Sequence, residues 1–123
     1  MKARLTLAFS LACLPGCQPG SNFDITVVGA SEVSFALSEE LRGEQCINSL
    51  TIYSAYESSK PVIHWNVRNQ NHAQVCQKSI SFPRIPEGFE GKVSATTLPA
   101  GKYTVLGEAG LYRLYGDFEI PSH

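Results

Sequence analysis

The 123-residue sequence predicts an all-β fold, a small antiparallel β-sandwich of about seven strands. Three observations carry that expectation. From residue 23 onward, apolar residues almost never recur with helical period. Instead, short runs of β-branched and aromatic residues alternate with polar ones. The runs are separated at short, regular intervals by Pro, Gly, Asn and Ser, the residues that turns require.

Taken in order, Phe23-Asp24-Ile25-Thr26-Val27-Val28 alternates and stops at Gly29. In residues 32–37, Val33, Phe35 and Leu37 share one face. Residues 38–46, SEELRGEQC, are polar. SEELR is long enough for one helical turn, but Gly43 follows at once and a loop is expected. Residues 49–56 and 62–67 read as a hairpin around the turn at 57–61, with Leu50 and Ile52 facing opposite to Thr51 and Tyr53. Residues 68–74, RNQNHAQ, form a polar loop leading to Cys76. Residues 79–82 make a short strand, and Pro83 and Pro86 keep 83–88 out of any sheet interior.

Leu98-Pro99-Ala100-Gly101-Lys102-Tyr103-Thr104-Val105 resembles the turn and strand of many small extracellular β-sandwiches. Pro99 and Gly101 make the turn, and Tyr103 and Val105 then face the core. The Tyr103 ring can pack while its hydroxyl bonds backbone at the rim. Residues 107–110 form the next turn region, and 111–120 close the domain as a last strand with Phe118 and Ile120 in phase. The expected sandwich is immunoglobulin-like or transthyretin-like. The Cys-Trp-Cys order departs from a true immunoglobulin domain, because Cys46 and Cys76 enclose a hairpin.

The first sixteen residues, MKARLTLAFSLACLPG, have a different character. Lys2 and Arg4 precede an apolar run of about ten residues, too short to span a bilayer core that takes about twenty. A charged start, a short apolar run and a small residue before a break mark a secretory signal. Leu14-Pro15-Gly16-Cys17 resembles the lipobox of bacterial lipoproteins. That resemblance implies cleavage before Cys17 and lipidation of its thiol, with Pro15 the departure from the commoner Ala or Ser. Gln18, rather than Asp, implies sorting to the outer membrane, facing the periplasm. The expected organisation is a signal peptide at 1–16, lipidated Cys17 and tether at 17–22, and a β-sandwich at 23–123.

Removing residues 1–16 leaves 107 residues, about the size of one domain. It removes Lys2 and Arg4 from the ten basic residues, leaving eight against eleven acidic ones, a net charge of −3. Without a basic stripe, nucleic acid is not an expected partner. Only Cys46 and Cys76 then remain besides the anchor. An oxidising periplasm favours a disulfide between them. Two free thiols or a metal pair are the alternatives, and a metal would need further ligands at suitable spacing.

His64, mid-strand, and His72, in the polar loop, lack the spaced partners of a zinc site. No Gly-x-Ser-x-Gly elbow is present. The expectation is a protein without catalytic residues, metal or cofactor. Glu39, Glu40 and Glu44 cluster in one loop, without the alternate spacing of a calcium site. Tyr53, Tyr56, Trp65, Tyr112 and Tyr115 are many for so short a chain, and their strand phases turn some outward. Exposed Tyr and Trp are frequent anchors of protein interfaces. The candidate partner-binding residues are therefore Glu39, Glu40, Glu44, Tyr53, Tyr56 and Trp65.

The plan of lipobox, short tether, single domain and closing GKYTV…YGDFEI strands looks like a loose group of periplasmic lipoproteins proposed to act as immunity proteins against type VI secretion effectors. The resemblance implies a non-enzymatic, membrane-anchored module that binds a protein partner. Lipoprotein inhibitors of lysozyme or other cell-wall hydrolases form a second class, although their Ser-Gly-x-x-Tyr loop is absent here. A structural accessory of the envelope is a third.

Overall fold

Alternation decides most of the strands. The strands β1 (Phe23–Gly29), β2 (Glu32–Leu37), β3 (Ile47–Ser54), β4 (Val62–Asn69), β5 (Ser79–Phe82), β6 (Phe89–Val93), β7 (Gly101–Ala109) and β8 (Tyr112–Ile120) follow one another, with a short helix, α1 (Glu39–Arg42), between β2 and β3. The computed structural model describes residues 23–70, 75–93 and 96–122. The expected signal peptide, Cys17, the tether and His72 lie outside the described residues.

Two antiparallel sheets face each other, one in the order β1-β2-β5 and one in the order β6-β4-β3-β7-β8. The chain changes sheet between β2 and β3, between β4 and β5 and again between β5 and β6, and β7 returns to pair with β3. Such sheet-switching connections are of the immunoglobulin-like kind. A sandwich is thus present, with eight strands among the described residues rather than about seven. The additional one, β6, has the sequence FEGKV. It carries a buried Phe89 and a glycine that lies against the backbone, since a Cβ at Gly91 would collide with the Asn66 carbonyl oxygen. Five residues of that composition do not announce alternation.

Other boundaries shift for physical reasons. The SEELR segment makes a helical turn after all. Leu41 drops into the core, and the acidic Glu39 and Glu40 precede Arg42 in the order the helix dipole favours. The strand expected to reach Tyr56 ends at Ser54, because Ala55 takes φ 54° and reverses the chain. The turn expected at 107–110 shrinks to two residues. Gly110, at φ 62°, takes the first central position, as a type II′ hairpin requires.

An aromatic chain crosses between the sheets. Tyr103 stacks on Phe118 at 5.5 Å, Phe118 meets Phe35 edge-on at 5.8 Å, and Phe35 lies at 6.2 Å from Trp65. Trp65 in turn meets Phe82 at 5.6 Å. Val33, Leu37, Ile47, Leu50, Ile52, Val67 and Val105 fill the space around these rings, each fully buried. Contacts of this offset and edge-on kind add to what area burial alone contributes.

The Tyr103 hydroxyl donates to the Pro99 carbonyl oxygen four residues upstream. This is the tyrosine-corner geometry of Greek-key sandwiches, and it ties the crossing loop to the start of β7. Tyr103→Phe keeps the packing and deletes the bond. The expected cost is about 1 kcal/mol, read as a lowered urea midpoint at unchanged slope.

Cys46 and Cys76 are bonded, with Cα atoms 5.2 Å apart and a sequence separation of 30. Cys46 sits just before β3 in one sheet, and Cys76 just before β5 in the other. Backbone bonds reinforce the same end: Ile47 N–H to Gln77 O at 2.8 Å and Leu37 N–H to Lys78 O at 3.0 Å. The Lys78 ammonium donates to the Gln45 carbonyl at 2.6 Å. The bridge therefore clamps the two sheets together rather than decorating a loop.

Candidate functional site

The six residues singled out as a partner surface fall in three different places. Trp65 is fully buried between the sheets, which removes it from any contact surface. Its place on β4 follows from phase, since Trp65 and Val67 point inward together. Glu39, Glu40 and Glu44 are exposed at the disulfide end. Tyr53 and Tyr56 lie at the opposite end, where β3 runs out. The eight residues of β3 separate the two groups by about 25 Å.

The outward face of the five-stranded sheet builds a surface around Tyr53 and Tyr56. Register aligns Ile63, Tyr53, Thr104 and Asp117 across four strands, and Thr51, Leu106 and Tyr115 in the next row. Tyr53 and Tyr56 meet at 5.2 Å between ring centroids. Ile63 is 51% exposed, Tyr115 42% and Tyr56 39%. Thr104 Oγ1 donates to Asp117 Oδ1 at 2.8 Å, and the Tyr115 hydroxyl donates to Asp117 Oδ2 at 3.1 Å. That bond to Asp117, followed by burial and the nearby charges of Asp117 and Glu57, raises the Tyr115 phenol above its ordinary range. Tyr115 therefore stays a neutral donor at any physiological pH.

Beside this face an open groove of about 1040 Å³ runs between β1, the turn at 55–57 and the ends of β7 and β8. Ile25, Val27 and Phe118 give it an apolar floor. Glu57, Asp117 and Glu119 outnumber Lys102 along its lining, so its charge is acidic. The surface thus brings together aromatic rings, an apolar floor and carboxylates. Among the described residues, no group of three or more His, Cys, Asp or Glu side chains could hold a metal ion. No described helix is long and apolar enough to cross a membrane.

His64 owes its position to a bulge. Ile52 pairs with Trp65 and Tyr53 with Ile63, leaving His64 as the extra residue on β4. The bulge turns it toward the sandwich rim, where Nε2 lies 2.7 Å from Ser54 Oγ and the ring meets Tyr103 edge-on at 5.3 Å. Partial burial lowers its pKa below 6.5. A depressed histidine pKa contributes stability above the unfolded value that is lost as pH falls through the folded one. Thermal midpoints are therefore expected to decline as pH falls below the ordinary histidine value of about 6.5. His64→Gln is expected to flatten that part of the profile.

Sequence reasoning missed Ile63 and Asp117. Asp117 was accessible, because it lies in phase with Tyr115 and opposite to Phe118. Ile63 was not, since its outward direction depends on the bulge at His64, for which the sequence carries no signal.

The chain matches no known family model, no curated protein and no solved structure. The fold and its surface define a class: a small disulfide-clamped β-sandwich with an exposed aromatic sheet face and an adjoining acidic groove.

Proposed function

We propose that this protein is a lipid-anchored lipoprotein of the bacterial envelope whose sandwich binds a protein partner without catalysing a reaction. Its specific form on this reading is an immunity protein that covers the working surface of a secreted effector. Cys17 carries the lipid, residues 18–22 are the tether, and the periplasmic side of the outer membrane is the location. The observation that carries the binding function is the patch of exposed Tyr56, Ile63 and Tyr115 around half-buried Tyr53, beside a groove edged by Glu57 and Asp117. Rigid amphipathic rings supply contact area at small entropic cost, and such residues dominate binding energy at interfaces. The sheet behind them is packed and clamped, so the face is preorganised.

The test uses the full chain, purified in detergent, cross-linked to periplasmic extract and to proteins secreted by related strains. One stoichiometric partner is expected. Its recovery should fall at least about tenfold with Tyr53→Ala/Tyr56→Ala, each anchor contributing about 1–2 kcal/mol. Unchanged recovery with that variant would move the interface elsewhere. Absence of any stoichiometric partner would count against a binding module altogether.

A further inference from the structure

We infer that the anchored domain stands on the bilayer through the two-residue turn between β7 and β8, with Leu111 and Tyr112 in the lipid interface and the aromatic face and groove turned away. This rests on the lipid-anchor reading of Cys17. The geometry begins with the point where the chain enters the sandwich. Phe23 pairs with Leu37, and the Leu37 N–H bonds Lys78 O beside the disulfide, so β1 starts at the disulfide end. The β7–β8 turn lies at that same end, because Ala109 pairs with Ile47, next to Cys46, and a Cβ on Gly110 would strike the Gln45 side chain. β1 also packs beside β8, so the chain enters the sandwich along the strand that leaves that turn.

The turn has an unusual composition for an exposed tip. Leu111 is 101% exposed and Tyr112 47%, at a site where turns ordinarily carry polar residues. Tyr is favoured at the membrane interface, where its ring sits among acyl chains and its hydroxyl among headgroups. Arg113 follows directly, and Arg42 and Lys78 accompany Glu39, Glu40 and Glu44 at this end, so it is not uniformly anionic.

Tether length restricts the alternatives. Five residues separate Cys17 from Phe23, a link that reaches about 20 Å when fully stretched. β8 alone, at nine residues, is about 30 Å long. The tether is too short to run the length of the sandwich and set the opposite end on the membrane. It permits an upright domain or one lying on its side, and the apolar turn favours the upright one. The groove, lined along β8 and just past its end by Asp117, Phe118, Glu119 and Pro121, then opens about 20–30 Å from the surface, toward a soluble protein rather than toward lipid.

Labelling the full-length acylated protein in vesicles of phosphatidylethanolamine and phosphatidylglycerol that contain a headgroup-quencher lipid tests this. With Cys46 and Cys76 bonded and Cys17 acylated, a fluorophore can be placed on Glu40→Cys or on Ser59→Cys. Strong quenching is expected at position 40 and none above background at 59. Adding Leu111→Ser/Tyr112→Ser should reduce the quenching at 40 toward that at 59. Equal quenching at the two positions, stronger quenching at 59, or no response to the double substitution would overturn the orientation while leaving the anchor and the binding face standing. An intact mass without acyl groups on Cys17 would overturn the anchor reading and the orientation with it.

Discussion

Trp65→Ala is expected to cost about 3–5 kcal/mol, the range for truncating a buried aromatic side chain where the cavity cannot collapse. Collapse is prevented here from both sides. Phe35 and Phe82 belong to the opposite sheet, Ile52 is paired beside Trp65, and all three are fully buried or nearly so. A small domain has about 5–15 kcal/mol of total stability, so this loss would leave the protein marginal or unfolded. The urea midpoint of the purified variant checks it. Trp65→Phe keeps an aromatic ring in the same site and is expected to cost distinctly less. A mild effect of Trp65→Ala would mean that the two sheets approach and refill the space.

Replacing both cysteines, Cys46→Ser/Cys76→Ser, is expected to destabilise by about 3.5 kcal/mol, the chain-entropy value for a loop of this length. The double variant is the right comparison, since a single one leaves an odd thiol. Cross-linking restricts the unfolded chain, and the restriction matters more because the closed loop contains the whole β3–β4 hairpin. Incubating the wild-type protein with a reductant strong enough to open the bond should lower the midpoint by the same amount. The loss and the Trp65 loss should add closely only if the clamp end and the aromatic core unfold together. If the reduced domain retained its midpoint, the backbone bonds from Ile47 and Leu37 alone would hold the two sheets at that end.

How much of this was legible in the sequence depended on whether local pattern or long-range contact decided the matter. Val33, Phe35 and Leu37 point inward as alternation requires, and so do Leu50, Ile52, Phe118 and Ile120. The Leu98–Tyr103 stretch folds into the turn and rim hydrogen bond that its residue types imply. The Cys46–Cys76 pair is present. The failures share a cause. α1 exists because Leu41 finds a place in the core, and four residues carry no periodicity of their own. β6 exists because Gly91 lets its backbone lie against β4, a relation between distant segments. Trp65 was given an outward role on residue type, although its own strand phase with Val67 already placed it inside. The candidate surface was half legible: Tyr53 and Tyr56 could be named, but joining them to Thr104, Tyr115 and Asp117 needed the order β3-β7-β8, which pairs strands about fifty residues apart.

A cross-linking comparison in living cells tests the binding face most directly. A photoreactive residue replaces Tyr56 in one full-length variant and Glu40 in another. From position 56 a single adduct of defined mass is expected, on a protein of the periplasm. From position 40, which the proposed orientation sets at the bilayer, no protein adduct is expected. An adduct formed from position 40 in place of 56, or none from position 56 under conditions where the protein is acylated and folded, would contradict the claim that the aromatic face is the binding surface.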